Sequence, residues 1–211
     1  MPEIKQHIAS IRSSLPAGVT LICVSKYQSE QAISEAYQSG ERDFGESHVQ
    51  ELVAKHEHLP KDIRWHFIGH LQTNKVKYIV PFIHLIQSVD SWHLLETINR
   101  EAAKIARRID VLLEVHVARE ETKTGMSIDE LRTILTRLNE LEWVQVVGLM
   151  TMATNTDDEQ EIRRCFTTVH ELASMDERLQ VRSYGMSDDY PIAIAEGSTM
   201  VRIGSKIFGE R

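Results

Sequence analysis

The chain has 211 residues, of which 42% are hydrophobic and 26% are charged, and its formal net charge is −7 at pH 7. These values are ordinary for a globular protein, and no basic face or arm typical of a nucleic-acid-binding protein stands out. No apolar run reaches the ~18–20 residues that a membrane span needs, and residues 1–15 lack the apolar segment of a secretion signal. Cys23 and Cys165 lie in apolar periodic segments, which is typical of reduced core cysteines, so we expect a cytoplasmic protein. From the charge pattern and the short apolar runs, we expect no nucleic-acid or membrane partners.

Short apolar runs alternate with longer stretches of helical period along the chain. A leading helix is predicted over residues 3–14. The apolar runs after it predict eight strands, at residues 19–25, 42–47, 64–70, 83–90, 110–117, 144–152, 181–187 and 200–205. Helices are predicted between them at residues 29–40, 47–59, 74–80, 91–108, 127–141 and 158–173.

Local signals support two of these helices. In the segment 91–108, apolar residues recur every three or four positions as far as Ile105, which predicts one buried face. Ser127 and Glu130 have the spacing of a capping box, which predicts that a helix begins directly after Ser127.

Strands that alternate with helices predict a parallel β/α architecture. Eight such units predict a single (β/α)8 TIM barrel, and an open doubly wound sheet is the alternative. A barrel needs at least roughly 200 residues, so it would use the whole chain as one domain, residues 1–211, without a second domain. No Gly-x-Gly-x-x-Gly motif follows the first strand, which argues against a dinucleotide-binding fold.

The active site of a barrel gathers at the carboxyl ends of its strands, so the residues that each strand places there are the candidate site residues. Lys26 comes directly after the first strand. The seventh strand delivers Met186 and Ser187, and the eighth delivers Arg202, Gly204 and Ser205. Glycine backbone and hydroxyl groups after these two strands are typical of a phosphate site.

Two of these residues have alternative interpretations. Ser187 has the position of an N-cap for the helical segment that follows it, and this role is compatible with phosphate binding. Arg202 could form a salt bridge on the outside of the barrel, whereas an inward arginine is costly unless it has partners and therefore favours a functional role.

A lysine and a phosphate site at one barrel mouth favour a Schiff base with a phosphorylated carbonyl compound. Pyridoxal 5′-phosphate (PLP) and the phosphosugar of a class I aldolase both fit that description. Among the histidines, the closest spacings are His56-x-His58 and His66-x3-His70, and neither suits one metal ion, so we expect no metal site.

The sequence resembles the pyridoxal phosphate homeostasis protein family, once called proline synthetase co-transcribed homologues. The matching stretches run from about residue 19 to the carboxyl terminus: VSKYQS, RDFGESHVQEL, WHFIGHLQTNK, LLEVHVAREETKTG, VVGLMTMA and SYGMSDDYPIAIAEGSTMVRIGSKIFG. The resemblance implies a single barrel similar to the N-terminal domain of alanine racemase. The chain departs from the family's usual residues at Ser47, His116 and Ala118, so we expect its pocket rim to differ in detail from that of other members.

The resemblance also implies roles for individual residues. Lys26 would form the Schiff base with PLP, and Met186, Ser187 and the Gly204-Ser205 turn would lie around its phosphate. Arg202 would face the pyridine nitrogen, with a phosphate contact as the second possibility. His66 and Asn74, from the motif of the third strand, would line the pocket.

An arginine beside the pyridine nitrogen would keep that nitrogen unprotonated and weaken carbanion chemistry. Alanine racemase also uses a second base, a tyrosine near its second domain, and no tyrosine of this chain lies in such a module. We therefore expect an intracellular PLP carrier or buffer rather than an efficient enzyme, with a weak PLP-dependent enzyme acting on amino acids as the alternative. The expected state is a monomer, and apo PLP-dependent enzymes are candidate recipients of the cofactor.

Lys123, after the fifth strand, has two interpretations. It is a candidate relay amine for release of the cofactor from Lys26. The alternative is a solvated loop lysine paired with Glu120 or Glu121.

Overall fold

The computed structural model describes residues 2–120 and 122–209, which form a closed barrel of eight parallel strands in chain order. The strands are Thr20–Val24 (β1), Asp43–Glu46 (β2), Arg64–Phe67 (β3), Leu85–Val89 (β4), Ile109–Glu114 (β5), Val144–Met150 (β6), Val181–Ser183 (β7) and Met200–Ile203 (β8). Because β1 pairs with both β2 and β8, the sheet has no free edge. The predicted barrel is confirmed, and the open doubly wound sheet is excluded.

Helices pack around the barrel and connect its strands. They are Pro2–Ser14 (α1), Glu30–Gln38 (α2), Val49–His58 (α3), Val76–Ile79 (α4), Trp92–Ala103 (α5), Ile128–Arg137 (α6), Glu159–Ser174 (α7), Tyr190–Ala195 (α8) and Ser205–Phe208 (α9), with 3-10 turns at Thr73–Lys75 and Leu138–Glu140. Ser127 and Glu130 form the predicted capping box at the start of α6. Within the described ranges, no helix combines the length and the apolar character needed to cross a membrane.

The predicted elements differ from the observed ones mainly at their carboxyl ends. The seventh strand was predicted over residues 181–187, but β7 ends at Ser183 because the chain turns at Gly185, whose φ is +98°. The helix predicted to residue 108 ends at Ala103, since Ala106 takes up a left-handed φ of 49°. Ile105 is consequently 45% exposed and not on a buried face.

Two apolar regions stabilise the barrel. The larger one lies between the strands and the surrounding helices and includes Leu21, Cys23, Phe44 and Trp65. A smaller cluster consists of Ile22, Leu85, Leu112, Met150 and Met200. Ile22 and Leu21 belong to different clusters, as expected for a strand whose successive side chains point to opposite faces.

A chain of hydrogen bonds between polar side chains crosses the barrel interior. Arg202 Nη1 donates to Ser183 Oγ at 2.7 Å, and this hydroxyl donates to Gln87 Oε1 at 2.7 Å. Gln87 Nε2 donates to His66 Nδ1 at 3.0 Å, and His66 Nε2 lies 3.1 Å from Asp43 Oδ1. Since Gln87 donates to Nδ1, the proton of a neutral His66 lies on Nε2, which donates to Asp43.

This chain ends in an ion pair at the amino-terminal end of β2 and β3. Arg64 binds both carboxylate oxygens of Asp43, at 2.7 and 2.5 Å. Burial raises the pKa of Asp43, but hydrogen bonds from Arg64 and His66 outweigh it and hold this pKa well below its usual range. Burial lowers the pKa of His66 by more than the Asp43 contact raises it, so His66 is neutral at pH 7.

His84 also approaches this ion pair. The donor atoms of Asp43, His66 and His84 lie within 4.8 Å of one another, a constellation that the sequence spacings did not indicate. Because Arg64 occupies both oxygens of Asp43, the carboxylate is already neutralised by a guanidinium, which makes this cluster a structural ion pair.

The shifted pKa values predict that acid destabilises the protein in two steps. His66 and Asp43 each have a lower pKa in the folded protein than in the unfolded chain. The unfolded chain therefore takes up protons before the folded protein does, as the pH falls through about 6.5 for His66 and about 3.9 for Asp43, and this uptake favours unfolding. Urea unfolding between pH 8 and pH 3 measures the loss. Asp43→Asn should be less stable at pH 7 by about 1–3 kcal/mol and should lose less additional stability below pH 4. Parallel pH profiles for the two proteins would contradict this assignment.

Candidate functional site

A cavity of about 420 Å³ opens at the mouth of the barrel, next to the carboxyl ends of β1, β6 and β8. The described residues that line it come from strand ends and the segments that follow them, far apart in the sequence: Val24, Lys26, Gln28, Ser47, Ile68, Met150, Met152, Met186, Ser187, Asp188, Arg202, Gly204, Ser205 and Gly209. The cavity thus brings together Lys26 and the predicted residues after β7 and β8. Met186 was predicted as a site residue, whereas Asp188 and the apolar residues Ile68, Met150 and Met152 were not. Apolar residues at a strand end resemble ordinary core.

Lys26 enters the cavity from a tight turn after β1. Ser25 continues the pairing with β2 through its backbone N–H, which donates to the carbonyl of Gly45 at 3.0 Å. The chain then leaves the sheet, and Gln28 N–H donates back to the carbonyl of Ser25 at 3.0 Å. Tyr27, in the middle of this turn, has a left-handed φ of 62°. The half-buried Lys26 is therefore held between the end of a strand and a closed turn.

Arg202 lies inside the barrel and not on its outer surface. It is 4% exposed and donates to Ser183 O at 2.8 Å and to Thr151 O at 3.0 Å, in addition to the Ser183 hydroxyl. Burial lowers the pKa of Arg202 to about 10, although the negative charges of Asp189 and Glu114 raise it. Its guanidinium therefore stays protonated at neutral pH, and among the described residues no carboxylate lies within 4.0 Å of it. A buried cation with neutral partners favours a negative or electron-rich ligand.

The loop after β7 folds Ser187 towards the cavity. A Cβ on Gly185 would lie 2.5 Å from Ala193 Cβ, so this close turn requires glycine. Met186 N–H donates to Asp189 Oδ1 at 2.6 Å and closes the loop. The N-cap of α8 is Asp189, so the interpretation of Ser187 as that N-cap is wrong. Ser187 is buried and lines the cavity instead.

The loop after β8 contributes backbone as well as side chains. Gly204 precedes the single turn α9, and its carbonyl accepts from the N–H groups of Ile207 and Phe208 at 2.9 Å. The N–H groups at the start of such a turn have no acceptor within the helix, and they are available to an anion in the cavity. Ser205 adds an exposed hydroxyl at the same place.

Two predicted pocket residues do not line this cavity. His66 is 1% exposed and belongs to the hydrogen-bonded chain in the barrel interior, because its side chain faces inward from β3 below the mouth. Asn74 is exposed because it lies in the 3-10 turn Thr73–Lys75, which follows β3 after the chain has left the sheet.

Lys123 lies outside the cavity as well. Its Nζ donates to the carbonyl of Ala153 and pairs with Glu120 at 2.8 Å, which agrees with the interpretation as a paired loop lysine. The hydrogen bond from Lys123 and a backbone donor lower the pKa of Glu120 to about 2. The other predicted partner, Glu121, lies outside the described residues. Lys123 lines a separate open depression with His116 and Gly125.

The arrangement combines a primary amine, a buried guanidinium and a cluster of hydroxyl and backbone donors within one cavity. An amine bonds reversibly to aldehydes, and the donors after β7 and β8 suit a phosphate. The volume lies in the range of ordinary cofactor pockets. A small phosphorylated aldehyde matches all three features.

Known proteins similar to this chain include several of the same size. The family described as "Alanine racemase, N-terminal domain" matches residues 1–211. The pyridoxal phosphate homeostasis protein of Aquifex aeolicus is 41% identical over 197 residues, which cover 90% of this chain and 86% of the relative. The protein of that name from Escherichia coli strain K12 is 33% identical over 232 residues, with 100% and 98% covered.

Solved structures show the same architecture. PipY of Synechococcus elongatus, without PLP, superposes with a TM-score of 0.93 at 39% identity, covering 98% of this chain and 100% of PipY. PipY with PLP bound superposes with a TM-score of 0.90. An alanine racemase of Clostridium difficile shares the fold alone, with a TM-score of 0.81 at 13% identity over 60% of its length. From its sequence and its barrel, the chain belongs to the pyridoxal phosphate homeostasis protein family.

Proposed function

We propose that this protein binds PLP as a reversible Schiff base on Lys26 and serves PLP homeostasis as a carrier or buffer. The observation that carries the proposal is that Lys26, Ser187, Arg202 and the Gly204-Ser205 turn line one cavity. The PLP-bound state of PipY, a relative with the same fold, supports it. Lys26 would bond through Nζ to the aldehyde carbon with loss of one water, and an incoming primary amine would displace Lys26 in the reverse sense.

The phosphate would lie against the loops after β7 and β8. Ser187, Ser205 and the backbone of Gly204 are the donors there, and the guanidinium of Arg202 adds a positive charge to the same cavity. Asp188 also lines the cavity and disfavours an anion near its carboxylate. The phosphate should therefore lie on the side of Gly204 and Ser205.

Arg202 is proposed to face the pyridine nitrogen. PLP acts as a strong electron sink when that nitrogen is protonated, usually by a carboxylate. Since Arg202 remains protonated at neutral pH, it can only donate to the nitrogen, which keeps the sink weak. Such a contact would favour a holding role over efficient turnover.

Few of the described side chains around the cavity could act as a second base. Among the described lining residues there is no tyrosine, histidine or cysteine, and Asp188 is the sole carboxylate. Tyr184 is buried, and its hydroxyl donates to the carbonyl of Glu196 at 2.8 Å, which gives it a structural role. The weak racemase-like alternative would depend on Asp188 as its second base.

The first prediction concerns the amine. Added PLP should give the wild-type protein the absorption band of an imine, and Lys26→Ala should abolish that band and weaken PLP binding by at least about tenfold, or about 1.4 kcal/mol. Lys75→Ala is the matched control, since Lys75 is also half-buried but lies outside the cavity. An unchanged band in Lys26→Ala would reject the proposal, as would a wild-type protein that takes up no PLP. Trapping of a sugar phosphate on Lys26 instead would favour the aldolase interpretation.

The second prediction concerns the phosphate. Ser187→Ala should weaken binding of PLP by about 10- to 100-fold, because a hydrogen bond to a charged group contributes about 1.5–3 kcal/mol. Binding of pyridoxal, which has the aldehyde but no phosphate, should stay within about twofold of wild type. Titration of both compounds by absorbance separates the two effects. Equal losses for both compounds would show that Ser187 does not contact the phosphate.

A further inference from the structure

The turn that carries Lys26 has an unfavourable backbone conformation. Tyr27 is not a glycine, yet it has a φ of 62°, in the left-handed region that L-residues rarely adopt. Such a conformation persists when surrounding contacts hold it in place, and it is common at functional sites. Besides the hydrogen bonds within the turn and to β2, two contacts that hold its backbone come from α3, the helix that follows β2.

Lys55 of α3 reaches the turn from behind. Its side chain is 7% exposed, and Nζ donates to the carbonyl of Ser25 at 2.7 Å, to Glu46 Oε1 at 2.8 Å and to Glu51 Oε1 at 2.7 Å. These contacts use all three donors of the ammonium group. A buried ammonium without partners is strongly unfavourable, so Lys55 is confined to this position.

Glu51 holds the other side of the turn. Its Oε1 accepts from Lys55, one helical turn further along α3, and also from the backbone N–H of Tyr27 at 2.5 Å. The peptide groups before and after Lys26 are thus tied to the same pair of helix side chains. Lys26 lies between these two anchor points.

Glu46 completes the cluster at the end of β2. It is fully buried, and its Oε1 accepts from Ser25 Oγ at 2.5 Å as well as from Lys55. Burial raises the pKa of Glu46, and the charge of Lys55 opposes this rise. Its Oε2 is buried with no hydrogen-bond partner among the described residues, so Lys55 is the group that compensates this carboxylate.

We propose that Lys55, acting with Glu51, is a positioning residue that holds Nζ of Lys26 at the place where it bonds to the aldehyde. The inference rests on the proposed function of Lys26 and adds residues outside the cavity to it. Lys55 is not among the described residues that line the cavity, so it would act on the backbone of Ser25 directly and on that of Tyr27 through Glu51. Without it the turn should relax and the amine should spend less time in the bonding geometry.

The test compares two ligands in Lys55→Met and Glu51→Ala. With PLP, the rate at which the imine absorption band appears in stopped flow measures bond formation with Lys26. Pyridoxine 5′-phosphate, which lacks the aldehyde, reports the integrity of the cavity through its affinity. Both variants should form the imine about 10-fold or more slowly, as small misplacements of reacting groups do, and should keep the affinity for pyridoxine 5′-phosphate within about twofold.

Two control variants separate positioning from stability. Glu51→Gln keeps the side-chain oxygen that accepts from Tyr27 N–H, so it should recover most of the rate that Glu51→Ala loses. Glu41→Gln weakens the ion pair of Glu41 with Arg12 just before β2, at the opposite end of the barrel, and it should leave both the imine rate and the analogue affinity unchanged. If Lys55→Met does not fold, Glu51→Ala and Glu51→Gln decide the question.

The remaining outcomes overturn the inference. Wild-type rates in both Lys55→Met and Glu51→Ala would show that the turn needs no support from α3, although Lys26 would keep its proposed function. Proportional losses of imine rate and analogue affinity would show a role in folding alone. A wild-type protein that binds pyridoxine 5′-phosphate but forms no imine would reject the proposed function and this inference together.

Discussion

The pairing of β1 with β8 is the interaction on which both the barrel and the candidate site depend. Thr20, Ile22 and Cys23 lie opposite Met200, Arg202 and Ile203, so the first and last strands close the sheet. The same register places the end of β1 beside the end of β8, and Lys26 therefore reaches the cavity that Gly204 and Ser205 line. A closed barrel leaves no edge strand to protect, and its convergent strand ends create the cavity without a second domain in the described part of the chain.

Closure also determines what can fill the barrel. The interior combines an apolar cluster around Ile22 with a polar chain that runs from Arg202 through Ser183, Gln87 and His66 to Asp43. Each polar group in this chain has a partner, which is the condition for burying it at modest cost in free energy. The chain anchors the guanidinium of Arg202 beneath the cavity, where it would meet the ring or the phosphate of the proposed cofactor. Lys55 and Glu51 are proposed to hold the backbone around Lys26 in a similar way, because these two side chains of α3 contact its turn from outside the barrel.

The sequence predicted the eight strands and the positions of Lys26, Ser187 and Arg202 because strand ends of a parallel barrel converge, whatever their separation along the chain. Side-chain direction at those ends was harder to predict. His66 lies within β3 and faces the barrel interior below the mouth, whereas Asn74 lies in an exposed turn after the chain has left the sheet. Hydrophobic periodicity encodes neither the depth of a residue in the barrel nor the path of the chain after a strand. Lys55 was missed for a different reason. A lysine on an amphipathic helix is normally solvated, and its burial follows from Glu46 and Ser25, which lie on other elements.

The protein is proposed to hold PLP without efficient turnover of amino acids. Protein loaded with PLP and incubated with D- or L-alanine in deuterium oxide tests it, with exchange of the α-proton followed by NMR and the free PLP followed by absorbance. We expect the amine to displace PLP from the protein, with α-proton exchange far slower than the ~1–10³ per second of typical enzymes. Exchange or racemisation within that range, abolished in Lys26→Ala, would contradict it and establish a PLP-dependent enzyme.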